Sequence, residues 1–232
     1  MITRDFEMGI IEVKNITFTY KGEETPVFQD FSMEVEEGSC LVIEGDNGSG
    51  KTTLFRILNG LSFPEKGKYY FDGKEIHEGY LKDNRNAKLF HKRMGYLFQN
   101  PDIMLFNATV YDEIAFGPRQ MGMTDAMVRD RVGDCMELFN LKSLSGKAPY
   151  HLSGGQKKKV ALAAVMALNP DVIILDEPFA GLDQKNRESL LAFFMELKKS
   201  GKTMLIASHN PMVHEKLADR LVLLDSKVTK NG

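Results

Sequence analysis

The segment Gly45–Thr52, GDNGSGKT, has the spacing G-x-x-x-x-G-K-[ST] of a loop built to wrap phosphate. Gly45, Gly48 and Gly50 let the backbone turn sharply and bring its N–H groups onto phosphate oxygens. Lys51 is placed to reach the β- and γ-phosphates of a nucleotide, and Thr52 to offer its hydroxyl to Mg²⁺. Asn47, Ser49 and Thr53, within and just after the loop, complete this candidate set. The plain alternative is a Gly-rich turn with a chance lysine. Against it stand the apolar strand that enters the loop and the helix that leaves it, whose N-terminus adds a positive end.

A second chemical segment is VIILDEP, residues 172–178. A carboxylate at the end of a parallel strand faces the crevice where ligands bind. Asp176 then supports Mg²⁺ through its water shell, and Glu177 is placed to orient or deprotonate an attacking water. Two adjacent acids can also merely cap a strand end, but here they accompany a phosphate loop. His209 follows the run TMLIAS (203–208), again at a strand end, where it could bond the γ-phosphate and the catalytic water.

The third segment is LSGGQ, 152–156. Ser153 is a natural helix N-cap, and Gly154 and Gly155 leave backbone N–H groups bare, so the segment forms a second anion site. Standing alone it would read as an ordinary Ser-capped helix. A chain with one complete phosphate loop has no need of a second in the same site. The physical resolution is that Ser153–Gln156 serve a nucleotide held by another subunit.

These residues need strands that end on one edge. CLVIEG (40–45), MGYLF (94–98), VIILD (172–176), TMLIAS (203–208) and RLVLLD (220–225) read as buried strands. One helical pattern starts within the glycine-rich turn and runs through Thr53–Leu58, and others cover Thr124–Phe139, Gln156–Leu168 and Gln184–Lys199. The alternation implies an α/β fold, a phosphate-loop core with a mostly parallel sheet. Residues 10–20 and 31–36 alternate apolar with polar, and 66–76 reads as a hairpin turning at Asp72-Gly73, which implies an N-terminal antiparallel β subdomain. Residues from about 100 to 160 hold no convincing strand and form an inserted helical subdomain. The final KVTKNG is expected to fray.

With 232 residues, 43% of them hydrophobic, the chain is long enough for one large domain, spanning 1–232. A net charge of −2 argues against a nucleic-acid partner. The basic stretch Lys82–Arg93 is broken by Asp83 and apolar residues, so it reads as a solvated helix face. Cys40 and Cys135 offer neither a disulfide framework nor a zinc site, and Cys40 reads as a packed strand residue. The start MITRDFEMGI lacks the apolar segment of a signal peptide, and Val160–Leu168, the longest apolar run, is too short to cross a bilayer. A soluble chain is expected, and work at a membrane would need a spanning partner.

In this order the phosphate loop, Gln99 after a strand, LSGGQ, LDEP (175–178), AGLD (180–183) and His209 resemble the ATP-binding-cassette (ABC) ATPases over almost the whole chain. The resemblance implies two ATP molecules sandwiched head to tail between the phosphate loop of one subunit and LSGGQ of another. It implies that Tyr20 stacks on adenine, that Gln99 bonds Mg²⁺ and water, and that Asp183 lies at the dimer seam. A strand-end aromatic covering core is the other reading of Tyr20. More finely, Phe98–Met123, with FQNPD, LF, TV and AFGP, resembles the energy-coupling-factor ATPases that drive uptake of vitamins, cobalt or nickel. The chain departs from that pattern at Asp102-Ile103-Met104, often Asp-Asp-Gln, at Lys157–Lys159, commonly Lys-Gln-Arg, and at Asn210, where Asp is common. The C-terminal domain that many members carry is not expected in a sequence of this length.

The function implied is an ATP- and Mg²⁺-dependent ATPase subunit of an importer, cytoplasmic and peripheral on the inner face of the cell membrane. An exporter cassette, or a soluble ABC ATPase acting on nucleic acid or ribosomes, is the alternative. The partner cassette is either identical or different. A transmembrane subunit is expected to dock near residues 99–116. There Ile103, Met104, Leu105, Phe106, Val110, Ile114 and Phe116 crowd together, and Asn100, Pro101, Asp102 and Asn107 interrupt them as surface turns do. Met104 and Leu105 are the contact residues expected from sequence.

Overall fold

A computed structural model describes residues 9–225. Strands β1 (Ile11–Phe18) and β2 (Phe28–Val35) pair antiparallel, with Ile11 opposite Val35. β3 (Cys40–Glu44) runs into the glycine-rich loop, and α1 (Lys51–Leu58) leaves it. β4 (Lys66–Phe71) and β5 (Lys74–Glu75) form the expected hairpin. Its turn residues Asp72 and Gly73 take φ of 48° and 68°, the positive values that a tight two-residue turn requires. α2 (Glu78–Leu81) and α3 (Asn84–Arg93) precede β6 (Met94–Leu97). Only helices follow until β7: α4 (Val110–Gln120), α5 (Asp125–Leu138) and α6 (Gly154–Met166), joined by short 3₁₀ turns. β7 (Val172–Asp176), α7 (Gln184–Lys199), β8 (Thr203–Ala207), α8 (Pro211–Leu217) and β9 (Arg220–Leu223) end the described chain.

The strands form two sheets. One is antiparallel, in the order β2-β1-β4-β5; the other is parallel, in the order β6-β7-β8-β3-β9. The parallel strands are in register at their C-terminal ends, with Leu97 beside Leu175, Leu175 beside Ile206 and Ile43 beside Ala207. Alternate residues of β3, β6, β7 and β8 enter two separate cores. Val42, Leu97, Leu175 and Ile206 pack with α4 to α8, whereas Leu41, Ile43, Ile174 and Leu205 pack with α1 and the antiparallel sheet. α6 lies directly on β6: a Cβ on Gly95 would sit 2.6 Å from the Val165 side chain. Polar caps start the helices. Thr109, Thr124, Ser153, Asp183 and Asn210 each accept a backbone N–H of the first turn.

Three expectations change. RLVLLD is not a buried strand. Among the described residues β9 has a neighbour on one side only, and Leu221 and Leu223 are exposed. The third helix begins at Gly154, two residues before the sequence pattern, because both glycines after the Ser153 cap already take helical geometry, whereas the first starts within the glycine-rich turn as expected, at Lys51. Met104 and Leu105 are only half exposed and pack against the helical core. Cys40 and Cys135 are buried, and burial pushes their thiols up to about 12 and about 11. α3 carries the basic stretch, and of its residues only Phe90 is buried. The tail KVTKNG lies outside the described residues, as does most of MITRDFEMGI. Among the described residues no helix is long and apolar enough to cross a membrane.

Candidate functional site

The four aligned strands β3, β6, β7 and β8 end on one edge, and the segments that follow them line one cleft of about 500 Å³. Asn47, Gly48, Gly50, Lys51, Thr52 and Thr53 form its floor; Gln99, Asp176, Glu177 and His209 face them; Tyr20 stands at the rim.

The loop backbone is held in shapes that glycine alone takes easily. Gly50, at φ 100°, is the N-cap of α1, and a Cβ there would come within 2.9 Å of both Phe28 and Val27. Gly48, at φ 85°, has open space where a Cβ would be. No side chain caps α1, so its first-turn N–H groups stay available to an anion. The Ser49 hydroxyl is buried without a hydrogen-bond partner among the described residues. Lys51 arches back over the loop, its ammonium donating to the carbonyls of Gly45 and Asp46. A cradle of bare donors with a lysine folded across it suits a polyphosphate.

Opposite it, the Asp176 carboxylate accepts from the Thr52 hydroxyl at 2.9 Å and from the Tyr96 hydroxyl at 3.4 Å. Burial raises the Asp176 pKa; these two bonds and the Lys51 charge oppose that rise. Thr52, Asp176 and Gln99 supply only oxygen donors to a cation, which suits a hard ion such as Mg²⁺. Among the described residues, no cluster of three His, Cys, Asp or Glu side chains could hold a metal by itself. Mg²⁺ commonly takes one or two protein ligands together with substrate phosphates, and this donor set fits that pattern.

Glu177 adopts φ 47°, an uncommon left-handed conformation for a side-chain-bearing residue. Its N–H donates to Ala207 O at 3.1 Å, and its carbonyl accepts from Ala180 N at 3.1 Å. Burial raises the pKa of its carboxyl, opposed by His209 and Lys51. His209 Nε2 lies 3.5 Å from Glu177 Oε1. A partly buried carboxylate beside an imidazole, both facing a phosphate cradle, can accept a proton from water.

The remaining sequence candidates divide. Tyr20 is partly exposed; it stands edge-on to Phe18, and its hydroxyl is 2.9 Å from Thr53 Oγ1. It thus both covers core and faces the cleft. Ser153, Gly154, Gly155 and Gln156 do not line the cleft. Ser153 and Gln156 make a reciprocal capping box, with Gln156 N on Ser153 Oγ at 3.4 Å and Ser153 N on Gln156 Oε1 at 3.0 Å. Asp183 caps α7 and also lies outside the cleft; its pKa is lowered by the Asn186 backbone and side-chain bonds.

Two residues escaped the sequence reading. Tyr96 reaches Asp176 from the adjacent strand, and its signal was a polar-tipped aromatic inside an aliphatic strand. Lys158 is buried, with its ammonium on Ala180 O at 2.7 Å and Glu177 O at 3.4 Å. The signal available for it was a lysine in the inward register of α6, four residues before Leu162.

The apolar segment after Gln99 is also partitioned. Val110 and Ile114 are buried, whereas Ile103 and Phe106 are 65% and 67% exposed. The buried Glu113 carboxylate accepts from Phe106 N at 3.0 Å and Asn107 N at 2.8 Å, which fixes the loop that presents Phe106. Phe106 stands edge-on to the partly exposed Phe116, with ring centroids 4.9 Å apart.

A protein-family model described as ABC transporter matches residues 28–180. A putative ABC transporter ATP-binding protein of Clostridium acetobutylicum is 45% identical, over 92% of this chain and 88% of that protein. The nickel import ATP-binding protein LarO of Lactiplantibacillus plantarum is 42% identical, over 94% of this chain and 89% of that one. Among solved structures, cbiO1 of Clostridium perfringens, part of the ABC transporter complex cbiONQ, is similar with a TM-score of 0.82 and 31% identity, covering 97% of this chain and 88% of that one. The ATP-binding cassette MJ0796, as a post-hydrolysis dimer bound to ADP and Pi, is similar with a TM-score of 0.85 and 27% identity, covering 95% and 97%.

Proposed function

This chain belongs to the ABC transporter family and is an ATPase of that family, and from that premise we propose that it drives an energy-coupling-factor-type importer of a transition-metal ion or vitamin. The likeness to LarO, named for nickel import, and to cbiO1 of a cbiONQ complex supports the cargo class. The observation that carries the mechanism is the division of the site. The phosphate loop, Asp176, Glu177, Gln99 and His209 share one cleft, while Ser153–Gln156 and Asp183 lie outside it. In this reading ATP binds in the cleft, Tyr20 lies against adenine, and a second cassette, identical or different, covers the γ-phosphate with its own Ser153–Gln156. The dimeric state of MJ0796 supports that arrangement. The chain would be one ATPase domain with residues about 100–160 as its helical subdomain, peripheral on the inner face of the membrane.

Each side chain then has one task. The bare N–H groups of the loop and of α1 hold the β- and γ-phosphates, and Lys51 turns from the Gly45 and Asp46 carbonyls onto them. Thr52, Gln99 and Asp176 would hold Mg²⁺, which when bound neutralises the charge that develops between the β- and γ-phosphates. Glu177 takes the proton of the attacking water, and its raised pKa brings it nearer to working pH. His209 orients the Glu177 carboxylate and contacts the γ-phosphate. Ile103, Phe106 and Phe116 offer the exposed apolar contact for a membrane subunit, close to Gln99 in the chain. The test is to purify this chain from its host with the membrane protein bound to it, and to measure ATP-driven uptake of nickel, cobalt and vitamins into vesicles. Uptake of none of them by an assembled, ATP-hydrolysing complex would overturn the importer reading.

A further inference from the structure

The turn that follows β7 carries a strained backbone in the cleft. Glu177 sits at φ 47° and is not glycine, a conformation that persists only where the surroundings hold it. The holding groups are few. Ala207 O receives the Glu177 N–H, and Ala180 N donates to Glu177 O to close a turn over residues 177–180. The third is Lys158, which comes from a different element.

Lys158 lies on α6, five positions beyond the N-cap Ser153. It is only 5% exposed, although burial is rare for lysine, whose charge normally stays in water. Its ammonium donates to Ala180 O at 2.7 Å and to Glu177 O at 3.4 Å, the two carbonyls at the ends of the same turn. Its partners are thus main-chain carbonyls rather than a carboxylate. A buried cation satisfied by two backbone carbonyls is costly, and burial lowers its pKa accordingly. An apolar side chain would fill this place at less cost, so the charge has a use beyond packing.

We infer that Lys158 is a positioning residue for Glu177: by clamping the carbonyls of Glu177 and Ala180 it holds the strained turn that aims the carboxylate at the γ-phosphate. The inference rests on the reading of Glu177 as the group that accepts the proton from water. Because the clamp stems from α6, the helix that would engage the partner's nucleotide at Ser153 also braces the carboxylate acting on the chain's own nucleotide. Lys158 does not line the cleft, and it acts through the peptide at 177.

The test is a double-mutant cycle on the full chain, read by single-turnover ATP hydrolysis and by KM for ATP. Lys158→Met keeps the length and removes the donors. It is expected to lower kcat by roughly ten- to a hundredfold, the scale of an ångström-level misplacement, with KM unchanged. In a Glu177→Gln background the same substitution is expected to add nothing, because two residues acting through one step are not additive. Lys158→Gln retains an N–H donor and is expected to fall between Met and wild type. If Lys158→Met does not fold, judged by its melting temperature, Lys158→Gln run through both backgrounds decides instead. The inference is overturned if the Lys158 variants turn over at the wild-type rate, if the loss appears in KM alone, or if it is equally large when Glu177 is Gln. Wild-type turnover by Glu177→Gln itself would instead remove the reading on which the inference rests.

Discussion

The loop that presents Phe106 allows a quantitative test of the membrane-partner surface. Phe106 is 67% exposed. A phenylalanine side chain carries about 200 Å² of surface, so roughly 130 Å² of it is open to cover. At about 25 cal/mol per Å², covering it stabilises a complex by about 3 kcal/mol. Phe106→Asp removes that contribution and places an unpaired carboxylate in the contact. The expected result is a loss of at least about 100-fold in affinity for the membrane subunit. Ile103→Glu, at a similarly exposed site, is expected to act in the same direction. The fold does not depend on the Phe106 ring: its loop is held by Glu113 through backbone N–H groups, which the substitution leaves in place. The assay is co-purification of the membrane subunit beside ATP binding by the isolated chain. Normal assembly by both variants would refute the docking surface. Met104→Glu and Leu105→Glu are poorer probes, because both side chains pack on the helical core and a charge there is expected to lower the melting temperature.

Three further outcomes follow from the cleft. Lys51→Ala removes the cation folded over the loop, and ATP affinity is expected to fall by at least ~1–3 kcal/mol, read by equilibrium titration, with steady-state turnover lost. The pKa of Glu177 is raised by burial, so its basic form is lost at a higher pH than for an ordinary glutamate; the acid limb of kcat is expected at a higher pH than an unperturbed glutamate would give, and a limb at or below that point would contradict the assignment. A raised folded-state pKa also means that ionised Glu177 destabilises the fold at neutral pH and ceases to do so as pH falls through that value. Glu177→Gln is therefore expected to raise the melting temperature at pH 7 while cutting hydrolysis by ~10²-fold or more.

The phosphate loop was readable because its residue types, its entering strand and its exiting helix agree. The carboxylates were readable because apolar runs end abruptly at Asp176 and Glu177. Sheet order was not: RLVLLD has the composition of a buried strand, and it is the position of β9 at the end of the sheet that exposes Leu221 and Leu223. The apolar run at 103–106 could be recognised as a surface, but its phase could not, because a 3₁₀ turn at Pro101–Ile103 turns Ile103 outward while Met104 packs inward. The backbone of Glu177 and the reach of Lys158 are tertiary facts. They depend on α6 passing within hydrogen-bonding distance of the turn after β7, which spacing along the chain does not encode.

The central claim is that two subunits share each nucleotide, and Ser153→Arg tests it most directly. Ser153 lies outside the cleft that holds the phosphate loop, Asp176 and Glu177, so within one chain its side chain has no access to the reaction. An arginine there places a bulky cation where the partner's γ-phosphate belongs. The measurement is phosphate release by the Ser153→Arg chain at an ATP concentration shown by titration to fill its own loop. The account predicts that ATP still binds and that phosphate release is lost; release at the wild-type rate would contradict a site built from two subunits.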